Sequence, residues 1–376
     1  METVGHAGPS PYTGVMHKTR PIARFVRFTA CLALAACSLA SLTGCLPNRV
    51  VIDLAPGDGS LAETQVLIDP GAGRSAPKIA QIDLQGLISH APSPGLLSGR
   101  SNAVDSIVTR LRKAEDDPMV RAVILRINSP GGTVAASETI YSEIRGFRER
   151  SGKPVIVSMG EVAASGGYYI ALAADHIIAQ PTSITGSIGV IVQTFNFSRG
   201  MDRIGISGRA VVSRENKAIA NPFETPVEEH YRILQHLTDQ FYEQFRTLVA
   251  DRRPQIRNGS ASLDTITDGR VFTGAEGVQL GVVDETGSLR DAFERAKALV
   301  NLDRARLVKY HAQGVTVGSP YATTLDHHPT VMRNASGGGI TLAPVRVDLP
   351  GGTGLPGFGG EPSESGFYYL WIAPTP

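Results

Sequence analysis

Short apolar runs and helix-like patterns alternate along the middle of the chain. Residues 79 to 88, 120 to 127 and 155 to 159 are apolar-rich runs of strand length with several Val and Ile. Between them, residues 103 to 115 and 137 to 150 place apolar side chains every three or four positions, as amphipathic helices do. Strand, helix and strand at this spacing predict parallel βαβ units, so we expect an α/β fold that begins near residue 78.

A second group of elements follows in the sequence. We expect a helix over residues 166 to 174, short strands at 176 to 179, 189 to 194 and 210 to 213, a long helix over 225 to 252 and a last helix over 288 to 300. Pro226 lies near the start of the long helix, and apolar positions recur along it at steps of three and four residues. We expect this apolar stripe to pack in the core or against another subunit.

The two ends of the chain differ in composition from the middle. Residues 46 to 77 contain repeated Gly, Pro and Asp without a sustained period, which indicates a tether. Residues 313 to 376 include 12 Gly and 8 Pro among 64 positions, which indicates a flexible tail. The tail ends near a hydrophobic, β-prone hexamer at residues 367 to 372. We expect this hexamer either to dock on the body as a strand or to add to a sheet edge, at a peptide-binding groove.

The N-terminal segment has the layout of a bacterial export signal. Four basic residues precede an apolar run over residues 28 to 42, which is short for a membrane-spanning helix. The run ends in Leu-Thr-Gly followed by Cys45, which resembles the lipobox of bacterial lipoproteins, where the Cys carries the lipid. Cys37 has a similar setting, but a cut there would leave a second apolar stretch. We therefore expect residues 1 to 45 to be a lipoprotein-type signal sequence, with an uncleaved anchor helix as the alternative.

Charge and cysteine content narrow the chemistry of the body. The chain has 36 Lys and Arg against 35 Asp and Glu, so a net charge of +1 argues against a nucleic-acid partner. All three cysteines lie within the first 45 residues, which excludes a thiol nucleophile, a cysteine metal site and a disulfide from the body. The pair His327 and His328 lies in the tail, so we expect neither a metal nor a cofactor.

Two glycine-rich turns follow consecutive predicted strands. The first contains Gly131 and Gly132, and the second places Gly166 and Gly167 directly after Ser165. The carboxyl ends of parallel strands are where active sites collect, and backbone N–H groups free of Cβ atoms can bind a phosphate or a developing oxyanion. The turns lack a Gly-Lys-Ser/Thr ending, so phosphate is the weaker interpretation, and a simple tight connection remains the alternative.

Ser165 has the small neighbours that a strained nucleophile elbow requires. No histidine lies in a recognisable triad setting, and arginine cannot act as a base, so the partner of this serine would be a lysine. Five of the seven lysines lie in the signal or in patterns that look solvated, namely Lys18, Lys113, Lys153, Lys297 and Lys309. Lys78 and Lys217 remain as candidates.

Four motifs in order resemble the signal peptide peptidase A family over residues 78 to 312. They occupy residues 128 to 134, 163 to 171, 185 to 190, and 269 to 275 together with 281 to 285. The resemblance implies a serine protease with a Ser/Lys dyad on a fold similar to crotonases and the Clp protease, built from repeated ββα units. A single copy of the domain is present, so the chain resembles the short forms, which form rings whose serine and lysine come from neighbouring subunits.

The resemblance also implies roles for individual residues. Ser165 matches the nucleophile, Lys217 the general base and Ser187 the hydroxyl that orients the lysine, although an ordinary turn hydroxyl is the alternative for Ser187. Gly132, with Gly131 beside it, matches the backbone N–H that stabilises the oxyanion. The segment around Lys217 fits the family pattern less tightly than the serine motif does.

Together these features predict a membrane-anchored serine endopeptidase that hydrolyses released signal peptides and other unfolded apolar peptides. The lipid anchor would hold it on a bacterial membrane, facing the periplasm or the cell exterior, and a homo-oligomeric ring is the expected assembly. The alternatives are an inactive lipoprotein scaffold of the same fold and a crotonase-like acyl-CoA enzyme, against which the export signal argues.

Overall fold

The computed structural model describes residues 50–51, 61–91, 102–258, 262–313, 315–322, 333–334 and 368–370. The predicted signal sequence and Cys45 lie outside these ranges, as does most of the predicted tail. The chain divides into two units, residues 1–53 with 331–343, and residues 54–330 with 344–376.

The strands in chain order are β1 (Val50–Val51), β2 (Leu61–Ile68), β3 (Lys78–Gln85), β4 (Val120–Ser129), β5 (Gly131–Thr133), β6 (Val155–Ala164), β7 (His176–Ala179), β8 (Ile184–Gly186), β9 (Val271–Thr273), β10 (Glu285–Thr286), β11 (Arg306–Ala312), β12 (Arg333–Asn334) and β13 (Tyr368–Leu370). The helices are α1 (Ala103–Asp116), α2 (Val134–Ser151), α3 (Gly166–Ala171), α4 (Ser198–Arg203), α5 (Glu228–Arg252), α6 (Leu263–Ile266), α7 (Gly274–Gln279) and α8 (Leu289–Leu299). Short 3-10 turns lie at Glu215–Ala218 and Pro254–Asn258.

In the smaller unit the described residues form only the antiparallel pair β1 and β12. The larger unit contains a nine-stranded sheet with the main order β10-β7-β6-β4-β3-β11-β2, while β8 pairs with β6 and β9 with β8. The pairs from β10 to β11 are parallel, and β2 and β9 pair antiparallel at two margins. This mostly parallel sheet with helices confirms the predicted α/β fold class.

The central strands are buried on both faces of the sheet. Alternate side chains of β3, β4 and β6 point to opposite faces, so one face packs against α8 and the other against α1 and α2. Strands covered on both sides read as nearly continuous apolar runs, which is why the sequence pattern located β3, β4 and β6 to within a few residues.

Two parts of the sequence-based organisation differ from the structure. Residues 61–68, placed in the tether, form β2 and pair with β11, so the folded part includes sequence ahead of residue 78. Residues 189–194 and 210–213 were expected to be strands but are irregular, apart from an isolated bridge at Ile191. Several apolar side chains in these stretches are exposed, so they lack the buried face that stabilises a strand.

The apolar stripe of the long helix α5 packs in the core along its second half. Phe245 and Val249 are fully buried in the core, whereas Tyr231 and Leu234, near the start of the helix, are only partly covered. Among the described residues, no helix is both long enough and apolar enough to cross a membrane.

Candidate active site

Ser165 occupies a sharp turn between a strand and a helix. It follows β6 and precedes α3, with φ 52° and ψ −115°, a conformation that costs free energy in any residue with a Cβ. Its N–H donates to the carbonyl of Gly186 at 2.8 Å, and its own carbonyl accepts from Tyr169 N–H at 2.8 Å. These contacts hold the backbone in the strained geometry of a nucleophile elbow.

The hydroxyl of Ser165 is buried and has no hydrogen-bond partner among the described residues. The residue is 1% exposed. A buried polar atom without a partner costs roughly 1 to 3 kcal/mol, so native proteins seldom keep one without a purpose. This unused, buried hydroxyl makes Ser165 the candidate nucleophile of the site.

The glycine strand β5 lies beside this serine and presents one backbone N–H toward it. Ile88 N–H donates to Gly131 O at 2.9 Å, and Thr133 N–H donates to Ile88 O at 2.8 Å. Backbone groups of successive strand residues alternate in direction, so the N–H of Gly132 faces away from Ile88. Gly131 N–H already donates to Ser129 Oγ at 3.1 Å, which leaves Gly132 as the better oxyanion donor of the two.

Close backbone packing explains why glycines occupy this edge. A Cβ on Gly132 would lie 1.9 Å from Ile88 O, a distance no side chain tolerates. A Cβ on Gly166 would lie 2.5 Å from Ser137 Oγ and 3.2 Å from Gly132 N. The N–H donor on Gly132 therefore lies beside the residue that follows Ser165, where a tetrahedral oxyanion would form.

Ser187 reaches the same edge through strand pairing. Ala164 at the end of β6 pairs with Gly186 at the end of β8, so the serines that follow the two strands are neighbours in the sheet. Ser187 has φ 50°, is 8% exposed, and donates its N–H to Arg270 O at 2.7 Å. The fold thus brings Ser165, Ser187 and Gly132 to the same edge of the sheet.

Lys217 makes no hydrogen bond to Ser165 Oγ within the chain. It lies on the 3-10 turn Glu215–Ala218, its side chain is exposed, and Ser165 Oγ has no partner among the described residues. The segment around the turn carries several half-exposed or fully exposed apolar residues, namely Phe195, Phe197, Ile204, Ile206, Val211 and Phe223. Exposed apolar side chains in such number are typical of surfaces that bind other molecules.

Lys78 is unsuited to act as the alternative base. It begins β3, at the end of the strand remote from the glycine turns, and its amine bonds Glu63 and Asp117 at 2.8 Å each. Burial alone would lower the pKa of Lys78, but the hydrogen bonds to Asp117 and Glu63 outweigh it and raise the pKa. An amine held in its charged form cannot take a proton from a serine.

Two lysines expected to be solvated are buried instead. Lys309 on β11 is 1% exposed, with its amine 2.6 Å from Asp83, and Lys297 is 6% exposed with its amine 2.9 Å from Asp69. Burial lowers the pKa of Lys309, although Asp83 opposes the shift. β4 and β3 separate β11 from β6, so Lys309 is roughly three strand spacings, about 14 Å, from the strand that leads to Ser165.

Sequence reasoning assigned no role to Asn128 and Ser129, which shape the oxyanion edge. Ser129 Oγ donates to Gly86 O at 2.6 Å and accepts from Gly131 N–H, so it fixes the start of β5. Asn128 Oδ1 accepts from Val162 N–H at 3.0 Å, where the pairing of β4 and β6 shifts register. Their position directly before the glycine pair was the available signal.

Among the described residues, no cluster of His, Cys, Asp or Glu could hold a metal ion.

A strained, buried serine beside a backbone donor on an α/β sheet defines the class of serine hydrolases. The model of peptidase family S49 matches residues 148–303 of this chain, which include Ser165, Ser187 and Lys217. Putative signal peptide peptidase SppA of Enterococcus faecium is 31% identical over 252 residues, covering 67% of this chain and 72% of that protein. The chain belongs to peptidase family S49, the signal peptide peptidase A family of serine peptidases.

Two further comparisons give the identity and coverage for a longer relative and for a solved structure. Protease 4 of Haemophilus influenzae is 39% identical over 227 residues, which cover 60% of this chain but only 35% of that protein. The chain therefore spans about a third of that longer relative. A solved ClpP1 mutant from Listeria monocytogenes is 18% identical with a TM-score of 0.36, covering 56% of this chain and 93% of that one. The predicted family and the enzyme class, a serine peptidase, are confirmed by the family membership.

Proposed function

We propose that this chain is a serine endopeptidase in which Ser165 attacks the peptide carbonyl. The observation that carries the proposal is the buried Ser165 hydroxyl, strained and unpartnered among the described residues, next to the outward N–H of Gly132. Relatives named Protease 4 and putative signal peptide peptidase SppA support the reaction class. Ser165 and Gly132 carry the chemistry, and Ser187 lies at the same edge as a positioning residue for the base.

The reaction divides into acylation and deacylation. The neutral amine of Lys217 takes the proton of the Ser165 hydroxyl, and Oγ bonds to the carbonyl carbon while Gly132 N–H stabilises the oxyanion. Collapse breaks the C–N bond, and the lysine ammonium gives its proton to the leaving amine. Water then attacks the acyl-enzyme in the same way, and the second peptide leaves as a carboxylate.

We propose that the base of each site comes from a second copy of the chain. Two observations support this arrangement: Lys217 is exposed within its own chain, and its segment carries half-exposed aromatic side chains such as Phe197 and Phe223. A lysine amine is neutral near pH 7 only where burial destabilises its charged form, and a subunit contact would provide that burial. A homo-oligomeric ring fits this requirement.

The substrate and the location complete the proposal. The family resemblance and the name of the Enterococcus faecium relative support released signal peptides and other unfolded apolar peptides as substrates. The lipobox-like sequence before Cys45 supports a lipid anchor on a bacterial membrane, with the body facing the periplasm or the exterior.

Hydrolysis of a fluorogenic apolar peptide and of a synthetic signal peptide by the full chain tests the activity. We expect turnover by the wild type and none by Ser165→Ala, while Ser129→Ala, a matched hydroxyl deletion on the same edge, keeps part of the rate. A folded wild type that cleaves neither peptide would contradict the peptidase proposal and favour an inactive scaffold.

Mixing two inactive variants tests the shared site. Ser165→Ala and Lys217→Ala are each expected to be inactive alone, because each lacks one half of every dyad. When the two are mixed and allowed to exchange subunits, some sites receive both residues and activity returns. Continued inactivity after proven exchange would show that serine and lysine come from one chain.

A further inference from the structure

Ser165 lies at the turn of a strand–turn–helix unit that is closed at its base. The unit runs from Val155 at the start of β6, through Ser165, to Asp175 after α3. Asp175 N–H donates to Val155 O at 2.8 Å, and Val155 N–H donates to Asp175 Oδ2 at 2.9 Å. Because the two ends of the unit are joined, the position of Ser165 depends on how β6 and α3 lie against each other.

The helix of this unit is too short to hold its own position. α3 has six residues, whereas an isolated helix in water needs roughly 12 to 15. It starts directly after Ser165, and the strained backbone of that residue persists only where the surrounding structure holds it. The contacts at the far end of α3 therefore bear on the geometry of the candidate nucleophile.

Two arginines, one on α2 and one on α5, bind the far end of α3. Arg252 donates from Nε to Leu172 O at 2.8 Å and from Nη2 to Ala174 O at 3.0 Å. Arg148 donates from Nη1 to Ala173 O at 2.6 Å. All three carbonyls belong to buried residues that directly follow α3. We call Arg148 and Arg252 the arginine clamp.

The arginine clamp satisfies groups that the helix itself cannot. The last carbonyls of a helix have no partner within it and carry the negative end of its dipole, so a guanidinium is a favoured donor. Arg148 also binds the carboxylate of Asp175, with Nε 2.9 Å from Oδ2, and so reaches the closed base of the unit. With one arginine from α2 and one from α5, the clamp opposes a slide of α3 along β6.

The arginine clamp acts at a distance from the reacting groups. Leu172 follows Ser165 by seven residues, which is about 10 Å along a helix axis. Its effect on the reaction therefore passes through the backbone of α3. A displacement of about 1 Å in a reacting group can lower a rate by about a hundredfold, so a small shift of α3 is enough to matter.

We propose that Arg148 and Arg252 are positioning residues for the reaction, which set the place of Ser165 Oγ relative to the Gly132 N–H through the backbone of α3. The inference rests on the proposed function for the identity of the nucleophile. It adds two residues that lie outside the motifs of the sequence and on different helices from the serine.

Steady-state kinetics of the full chain on the fluorogenic apolar peptide test the inference. In Arg252→Ala we expect kcat to fall about tenfold with KM within about twofold of the wild type, because Ser165 shifts while the β5 edge stays in place. Arg252→Lys keeps a cation with N–H donors, so its kcat should lie between those of the wild type and Arg252→Ala. A wild-type kcat in Arg252→Ala would overturn the inference.

A second buried cation separates positioning from stability. Lys297 on α8 is 6% exposed and has its amine 2.9 Å from Asp69, so Lys297→Met is a matched loss of a buried cation outside the unit that holds Ser165. Both Lys297→Met and Arg252→Ala should lower the urea midpoint, but only Arg252→Ala should lower kcat. If both variants lose kcat to the same extent, the arginine clamp serves stability alone and the inference fails.

Covalent labelling of Ser165 distinguishes a failure of the inference from a failure of the proposed activity. In an alkyl fluorophosphonate probe, an activated serine oxygen bonds to phosphorus and fluoride leaves, so no peptide is needed. If the wild type cleaves no peptide but is labelled at Ser165, and Arg252→Ala is labelled about tenfold more slowly, the peptidase proposal fails and the inference stands. If the wild type cleaves peptides and Arg252→Ala is labelled at the wild-type rate, the inference alone fails. A wild type that is neither active nor labelled would overturn both.

Discussion

Ser165 and Lys217 belong to segments of opposite character. From β6 through α3 nearly every residue is buried, and the backbone of Ser165 is fixed by hydrogen bonds on both sides. From residue 191 to 217 most side chains are exposed, and regular structure is limited to α4 and one 3-10 turn. The fold of the single chain fixes the position of Ser165, whereas Lys217 remains exposed in the single chain.

This difference separates two requirements of catalysis. A nucleophile and an oxyanion donor must be fixed to within a fraction of an ångström, which a buried sheet edge provides. A lysine base requires removal from water, which a small chain can obtain from a second copy. Assembly would then switch the site on, because dissociated chains hold the nucleophile without its base.

The largest expected effect on activity comes from replacing Lys217. Lys217→Ala should lower kcat/KM by about a thousandfold or more, because the general base is lost, while the free energy of unfolding stays unchanged for an exposed residue. Activity on the fluorogenic peptide and urea unfolding measure the two quantities. Arg214→Ala, an exposed cation three residues away, is the control, and a near-normal rate in Lys217→Ala would move the base elsewhere.

The next largest effect on activity comes from replacing Gly132, the proposed oxyanion donor. Gly132→Ala should lower kcat by about 10²- to 10³-fold, because its Cβ overlaps Ile88 O and shifts the N–H donor. The overlap should also destabilise the fold by about 1 to 3 kcal/mol. Gly152→Ala is the control for the overlap, because no atom lies within 4 Å of the new Cβ there. The backbone at Gly152 has a φ of 65°, so this control includes backbone strain without an overlap. A Gly132→Ala variant with normal kcat would remove Gly132 from the mechanism.

A smaller effect tests the exposed segment. Phe223→Ser should change the stability of the single chain by less than about 0.5 kcal/mol, because the ring is half exposed. It should weaken the oligomer, so specific activity falls several-fold on dilution and recovers at high protein concentration. Sedimentation velocity and activity across the same dilution series provide the measurement. Dilution curves identical to the wild type would show that this aromatic surface lies outside the interface.

The smallest effect concerns Lys78, which should matter for stability alone. Lys78→Met removes the bonds to Glu63 and Asp117 and should cost about 1 kcal/mol at pH 7 with unchanged kcat/KM. Burial alone would raise the pKa of Asp117, but hydrogen bonds from Lys78 and Met119 N–H outweigh it and hold the pKa below the ordinary 3.8.

The pH dependence follows from the lowered pKa of Asp117. This contribution to stability is present above pH 3.8 and is lost as the pH falls through the lower pKa of the folded state. The difference in urea midpoint between wild type and Lys78→Met should therefore shrink from pH 7 toward pH 2. A loss of activity in this variant would reinstate Lys78 as a candidate base.

The sequence predicted the elements whose signals are local. β3, α1, β4, α2 and β6 follow from apolar periodicity, and Ser165 follows from its small neighbours. β2 was missed because it lies at the sheet margin with alternating exposed side chains and is flanked by Gly and Pro. An edge strand of this kind resembles a linker until its partner β11 is known.

Contacts between distant segments were beyond the reach of the pattern. Lys309 is buried because Asp83, on another strand, compensates its charge. The sequence around Lys309 contains no local signal of this ion pair. The hexamer at residues 367 to 372 showed a tendency to form a strand, and the structure supplies its partner, β5. The resemblance named Gly132 as the oxyanion donor, and the hydrogen bond from Gly131 N–H to Ser129 Oγ supplies a physical reason that the sequence could not.

The position of β11 has a consequence for how the chain folds. β11 lies between β3 and β2, so residues 306–312 pair with strands made more than two hundred residues earlier. Closing so long a loop is slow, and the edge of β3 stays open until it happens. Asp83, which is 3% exposed when folded, does not meet the Lys309 ammonium before β11 arrives. A nascent chain therefore cannot complete its sheet until residue 312 has been synthesised. Partly folded chains with an open edge on β3 persist until that time.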